Sequence, residues 1–346
     1  MMIREHIENL EEKYLSPYAT LAKKSKGRLI EEEPDPIRTC FMRDRDRVIH
    51  SKAFRRLKHK TQVFISPDSD HYRTRLTHTL EVNQVAKTIG KGLGLNEDLI
   101  EAIALAHDVG HTPFAHTGEE VLNGLMKEGF RHNLNSVRVL TKIEKGRTGR
   151  GLNLTHEVID GVLHHSGFGV STTHAETLEG QVIRLSDKIA YVQHDIDDSI
   201  RAGILGEKDL PQEYIQILGN SHSARIGNLV TDCIDYTRKS LQKNPKAKVS
   251  LSPRMEEALK GLRKFMFDNI YKGKYCSQER ERAMFIVEYL FIYYKKNPDK
   301  LPDFYREIAK EEGLERGVAD YISGMTDNYC VDLFRQLTIP KSFIRY

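Results

Sequence analysis

Apolar residues recur at helical spacing along most of this chain, and strand-like alternation is scarce, so packed helices are the architecture it can build. Residues 76–93 place Leu76, Leu80, Val82, Val85, Ala86, Ile89 and Leu93 close to one stripe. Residues 97–109 start acidic at Glu97 and Asp98, continue apolar and stop at Gly110. The proline-broken stretch His111 to His116 reads as a loop, and Thr117 with Glu120 matches a capping box opening the next helix. Further helices are predicted over about 134–144, 156–164, 176–201, 253–270 and 279–295. In the last of these, Phe285, Tyr289, Phe291, Ile292 and Tyr293 suit core packing better than a subunit contact. Residues 145–151 (KGRTGRG) read as a mobile or surface connection, 167–173 as a second loop, and 61–73 as one short hairpin around Ser66 to Asp70. The expected fold is all-α: an N-terminal segment (1–37), a helical core (38–210) and a helical C-terminal lobe packed on it (211–346).

Composition narrows the class. Among 346 residues, 39% are hydrophobic and 29% charged, which suits a globular chain rather than a disordered one. No apolar run approaches the roughly 18 residues of a membrane span, and the charged start MMIREHIENLEEKY lacks the apolar stretch of a secretory signal. A cytoplasmic protein with no membrane partner is expected. Cys40, Cys233, Cys276 and Cys330 are scattered without a C-x-x-C pair, which argues against a thiolate zinc site or a disulfide framework. The net charge of +4 announces no nucleic-acid binder, although Arg45 to Arg75 holds nine Lys/Arg against three Asp. Such a run is ordinarily a solvated face; the sharper reading is a wall facing a polyanion.

Histidine is unevenly placed. Thirteen of fifteen lie between His50 and His194, where even scatter would put about six. His107-Asp108 ends an apolar helix, His78 sits between Leu76 and Leu80 on the helix before it, and Asp187 sits between Leu185 and Ile189 on the long helix. Any one of these is ordinarily a satisfied core residue. Four together on three helices suggest a shared divalent cation, because buried ionisable groups are costly unless compensated. Two imidazoles and two carboxylates without a thiolate suit Mn, Fe, Ni, Co, Zn or Mg. On the long helix, Asp187, Tyr191 and Asp195 follow at i, i+4 and i+8, so they share a face.

The set His78, His107-Asp108 and Asp187 resembles the H…HD…D signature of the HD superfamily of metal-dependent phosphohydrolases. The strings RTCFMRDRDRVIHSKAFRRLKHKTQVF (38–64), HDVGHTPFAHTGEE (107–120) and RLSDKIAYVQHDIDD (184–198) resemble its bacterial deoxyguanosinetriphosphate triphosphohydrolase-like branch, with FRHNLNS (130–136) and DYISGMTDNY (320–329) in support. The resemblance implies hydrolysis of a dNTP to deoxynucleoside and inorganic triphosphate, with water attacking the α-phosphorus. It implies one divalent metal ion per site, with an additional Mg accompanying the nucleotide left open. It assigns His116 as donor of the proton to the 5′-oxygen and Glu119 as the group that orients or charges that imidazole; the plainer role for Glu119 is to favour its helix N-terminus. It places Tyr191 against the deoxyribose, Asp195 and Gln62 on the 3′-hydroxyl, and Lys188, Arg75 and His132 on the phosphates. His111, His164 and His165 are read as structural or outer residues. The resemblance also implies a homo-oligomer, with a hexamer as the expectation, and leaves open an activating nucleotide and single-stranded DNA binding. The competing readings are another HD phosphohydrolase, such as a nucleotidase or phosphodiesterase, and a non-catalytic nucleotide- or nucleic-acid-binding regulator.

Overall fold

A computed structural model describes residues 2–62, 73–147, 149–166, 173–271 and 274–340 of the chain. The fold is all-α: sixteen α-helices among the described residues, with one two-residue-by-two-residue hairpin. The surface connection expected over 145–151 carries that hairpin. Lys145–Gly146 pairs antiparallel with Gly149–Arg150, and Gly149 takes the positive φ of 118° that the reversal demands. The anticipated turn at 66–70 and most of the 167–173 loop lie outside the described residues. At the flank of the former, Thr61 and Thr74 form an isolated antiparallel bridge.

Three helices carry the centre of the molecule. Arg75–Leu93 is capped by Thr74 and closed by Gly94 in the left-handed region; it buries Val82, Val85, Ala86 and Ile89. Glu97–Ala106 starts at Asn96, whose side chain accepts from the Asp98 and Leu99 amides, and is buried from Ala102 to Ala106. Leu178–Arg201 is capped by Thr177 and buries Val182, Ile183, Ile189, Ala190, Val192 and Ile196. Their apolar faces join one cluster that extends from Ala22 to Ile270. A second cluster joins Phe114, Val121, Leu122, Met126 and Phe130 to Val287, Leu290, Phe291, Val318, Ile322 and Cys330. Of the aromatic face expected for 279–295, Phe291 is fully buried, while Phe285 and Ile292 are exposed.

Several boundaries differ from the periodicity, each for a local reason. The second helix ends at Ala106, so His107-Asp108 lies in the turn after it rather than on its last residues. The helix expected from Thr117 begins at Ala115, because Phe114 and Ala115 turn the chain through φ of 59° and 53°. Thr117 and Glu120 are therefore interior, not a capping box, and Glu120 pairs with Arg280 instead. The helix expected over 134–144 is His132–Arg138 followed by a π turn, Val139–Ile143.

Candidate active site

The site forms where the turn after Glu97–Ala106 meets the buried faces of the two neighbouring helices. Gly110 makes that turn possible: a Cβ there would stand 2.1 Å from the Ser136 amide nitrogen, a backbone atom that cannot move cheaply. The Gly110 N–H donates to Ser136 Oγ at 3.0 Å and Asn135 Nδ2 donates to the Gly110 carbonyl at 2.7 Å, which fixes the turn on the His132–Arg138 helix.

His107 is fully buried. Its Nδ1 stands 2.6 Å from the Ala104 carbonyl, which can only accept, so Nδ1 carries the proton and Nε2 presents a lone pair. That Nε2 is buried and finds no hydrogen-bond partner. Burial pushes the His107 pKa down, towards the neutral imidazole a metal requires. Ligand atoms of His78, His107 and Asp108 all lie within 4.8 Å of one another. Asp187 reaches this group through His78, whose Nε2 is 3.1 Å from Asp187 Oδ1. Burial raises the Asp108 carboxyl, but His107, His111 and Arg75 together hold it well below the usual carboxylate range. Asp187 is likewise raised by burial yet held low by the His78 hydrogen bond and charge. An orphaned imidazole nitrogen beside ionised carboxylates is the donor set a divalent cation takes, so these residues fit a metal.

Around it, Arg75 Nη1 donates to Asp108 Oδ2 at 2.6 Å, and His111 Nε2 is 3.3 Å from Asp108 Oδ1. His165 repeats the His107 arrangement, with Nδ1 donating to the Val162 carbonyl at 2.6 Å and Nε2 3.7 Å from Asp108 Oδ1. His164 turns away, to Asp160 on its own helix. Glu119 accepts from the His132 amide at 2.9 Å, faces His132 Nδ1 at 2.9 Å and His116 Nδ1 at 3.2 Å. Burial raises the Glu119 carboxyl, but its hydrogen bonds to His116 and His132 hold it far below the ordinary range. The His132 ring stacks on His111 with centroids 4.2 Å apart, while His116 keeps 60% of its side chain exposed.

On the long helix, Lys188 lines a cavity of about 480 Å³ together with His174, Arg184, Lys248 and Arg263. Tyr191 is raised well above its ordinary pKa by burial and by Asp195, and it feels Arg263, Asp187 and Arg75. Asp195 is buried with neither carboxylate oxygen partnered, and burial lifts its pKa. Gln62 Oε1 is also buried without a partner. Sequence reasoning read His165 as a structural or outer residue and did not single out Arg184 or Arg263, which line the cavity beside Lys188. Arg184 was accessible to it, four residues before Lys188 on one helix; Arg263 belongs to Pro253–Met266 and no local pattern points to it. Among the described residues of the basic stretch 45–75, several are paired with carboxylates, while Lys52, Arg55 and Arg56 line a cavity. Arg45 pairs with Asp46 and Asp98, Arg47 with Glu32, Arg73 with Glu81, Asp197 and Asp198, and Arg75 turns inward. A larger cavity of about 910 Å³ borders part of that stretch and shares no residue with the metal cluster.

Comparison with known proteins follows the same residues. Residues 75–192 match the HD domain and residues 249–336 the phosphohydrolase-associated domain. A protein of Clostridium tetani is 59% identical over 346 residues, covering 99% of this chain and 98% of the relative. One of Clostridium perfringens strain 13 is 59% identical over the whole of both chains, and one of Caldanaerobacter subterraneus 54% over 341 residues, 99% of this chain and 97% of the relative. Each of the three is named a deoxyguanosinetriphosphate triphosphohydrolase-like protein. With its full length aligned to such relatives and His78, His107, Asp108 and Asp187 all inside the matched HD domain, this chain belongs to the deoxyguanosinetriphosphate triphosphohydrolase-like family of HD-domain hydrolases.

Proposed function

We propose that the chain is a metal-dependent dNTP triphosphohydrolase, releasing deoxynucleoside and inorganic triphosphate. The observation that carries this reading is the orphaned His107 Nε2 grouped with His78 and Asp108, next to a His116–Glu119 pair that remains open to a substrate. His78, His107, Asp108 and Asp187 would hold one divalent cation. When bound, that cation supplies Lewis-acid polarisation of the α-phosphate and a lowered pKa for water.

The chain's own residues account for the remainder. An oxygen of water bonds to the α-phosphorus as the bond from phosphorus to the 5′-oxygen breaks, and that alkoxide is a poor leaving group. His116 is placed to give it a proton. Glu119, ionised, can only accept, so the His116 nitrogen facing it carries a hydrogen; in the imidazolium the far nitrogen carries a second, which passes to the 5′-oxygen, and a proton released by the attacking water restores it. Lys188, Arg75 and His132 supply positive or donor groups for the triphosphate, and the cavity that Lys188 lines adds Arg184 and Arg263. Asp195 and Gln62 hold buried acceptors without partners, which a sugar hydroxyl would satisfy. Tyr191 lies between Asp187 and Asp195 on their helix and offers the ring for the deoxyribose.

The test is product identity in ¹⁸O-labelled water. Metal-loaded protein given each dNTP, singly and mixed, is expected to yield deoxynucleoside and triphosphate, with the label in the triphosphate. Release of pyrophosphate with dNMP, or of single phosphates, points to another HD phosphohydrolase chemistry. Salt-dependent DNA binding without turnover points to the regulator reading.

A further inference from the structure

The loop that ends at His116 is fastened from far along the chain. Asp327 is the first residue of the Asp327–Thr338 helix and is buried. Its Oδ2 accepts from the Thr61 backbone N–H at 2.9 Å, 266 residues away, and its Oδ1 from the Phe114 backbone N–H at 3.0 Å, 213 residues away. Thr61 immediately precedes Gln62, and Phe114 stands two residues before His116. An acid in the first turn of a helix is ordinarily explained by the helix dipole. That explanation leaves unaccounted why both oxygens are spent on two remote backbone amides.

The segment being held needs holding. Phe114 and Ala115 both occupy the left-handed region, at φ 59° and 53°, without glycine's freedom. Thr112 Oγ1 donates to the Ala115 carbonyl at 2.8 Å. Lys60 is buried, donates from Nζ to the His111 carbonyl, and donates also to the Ser323 carbonyl at 2.8 Å. The Phe114 ring packs in the cluster built with the C-terminal helices. Gly118 closes the arrangement, since a Cβ there would meet the Pro113 carbonyl oxygen at 2.3 Å.

We infer that Asp327 is a positioning residue of the active site: a carboxylate from the phosphohydrolase-associated region whose two oxygens hold the backbone before Gln62 and the backbone before His116 in register with each other. Asp327 then supports the site through the backbone, without itself touching substrate. The catalytic part of this inference rests on the reading of His116 as proton donor; the geometric part does not.

Two variants grade the effect. Asp327→Asn keeps one acceptor and sets an amide N–H₂ against the other backbone donor; Asp327→Ala removes both acceptors. Each is measured in the full chain, with bound manganese counted and backbone hydrogen–deuterium exchange followed by peptide. Faster exchange across 111–118 is expected, with the buried Ala102–Ala106 segment unchanged. The expected kcat loss is roughly 10-fold for Asn and 100-fold for Ala, with KM within about twofold and the metal retained. If Ala does not fold, Asn alone decides. Unaltered exchange over 111–118 overturns the inference, as does unaltered kcat, or a kcat loss that tracks lost metal. Full activity of His116→Ala would instead remove the donor reading, and the exchange result would still decide for or against Asp327 as the clamp.

Discussion

Two backbone carbonyls decide what two histidines can do. Ala104 and Val162 accept from the Nδ1 atoms of His107 and His165, so both rings turn Nε2 towards Asp108. No sequence pattern encodes that tautomer; it follows from where the helix ends, three residues earlier than the apolar run suggests. The candidates His78, His107, Asp108 and Asp187 come from the sequence, because four ionisable residues flanked by apolar ones have few inexpensive arrangements; the structure groups the first three, with Asp187 against His78. At this scale the clearest expectation concerns His116. Replacing it by alanine should lower kcat by roughly 10²–10⁴-fold while nucleotide affinity and metal content stay close to the parent. Equilibrium binding with a non-hydrolysable dNTP analogue, beside steady-state rates, checks this. A loss of affinity with kcat intact would transfer His116 from proton donor to binding group.

Among the elements, three central helices were legible from their apolar stripes, to which the structure adds caps at Thr74, Asn96 and Thr177. They were misread where geometry has no sequence signature. The left-handed Phe114-Ala115 pair carries neither glycine nor asparagine, and its support comes from Asp327 and Lys60, which lie distant in sequence. The N-terminal segment also contains a helix, Ile3–Tyr14, fixed to the body partly by Glu11, whose Oε2 accepts from the Ala22 amide at 2.7 Å. Burial pushes the Glu11 pKa up to about 7. Between its ordinary value and about pH 7 the folded chain keeps a proton that the unfolded chain has released, so this residue's contribution to stability falls as pH rises through that window. Glu11→Gln retains an acceptor for Ala22 and removes the titration. It should raise stability at pH 8 by about 1 kcal/mol after allowance for solvent screening, or about 2 °C in Tm, and leave pH 4.5 unaffected. Thermal melts of both proteins across that range check it, and an offset independent of pH would contradict it.

At the scale of the whole molecule, one apolar cluster positions the helices that carry the candidate metal ligands and the other joins the His116 helix to the C-terminal helices. Among the described residues no helix is long and apolar enough to cross a membrane. The C-terminal string DYISGMTDNY contributed to the family resemblance, but its contact with the active-site loop depends on tertiary packing that no local pattern reveals. His78, His107, Asp108 and Asp187 are proposed to share one divalent ion on which hydrolysis depends. Anomalous diffraction from manganese-loaded crystals, paired with dNTP hydrolysis before and after chelation, measures it directly. An anomalous peak enclosed by those four side chains is expected, absent in His107→Ala, with activity that disappears with the ion. A peak elsewhere, or undiminished hydrolysis by metal-free protein, would contradict it.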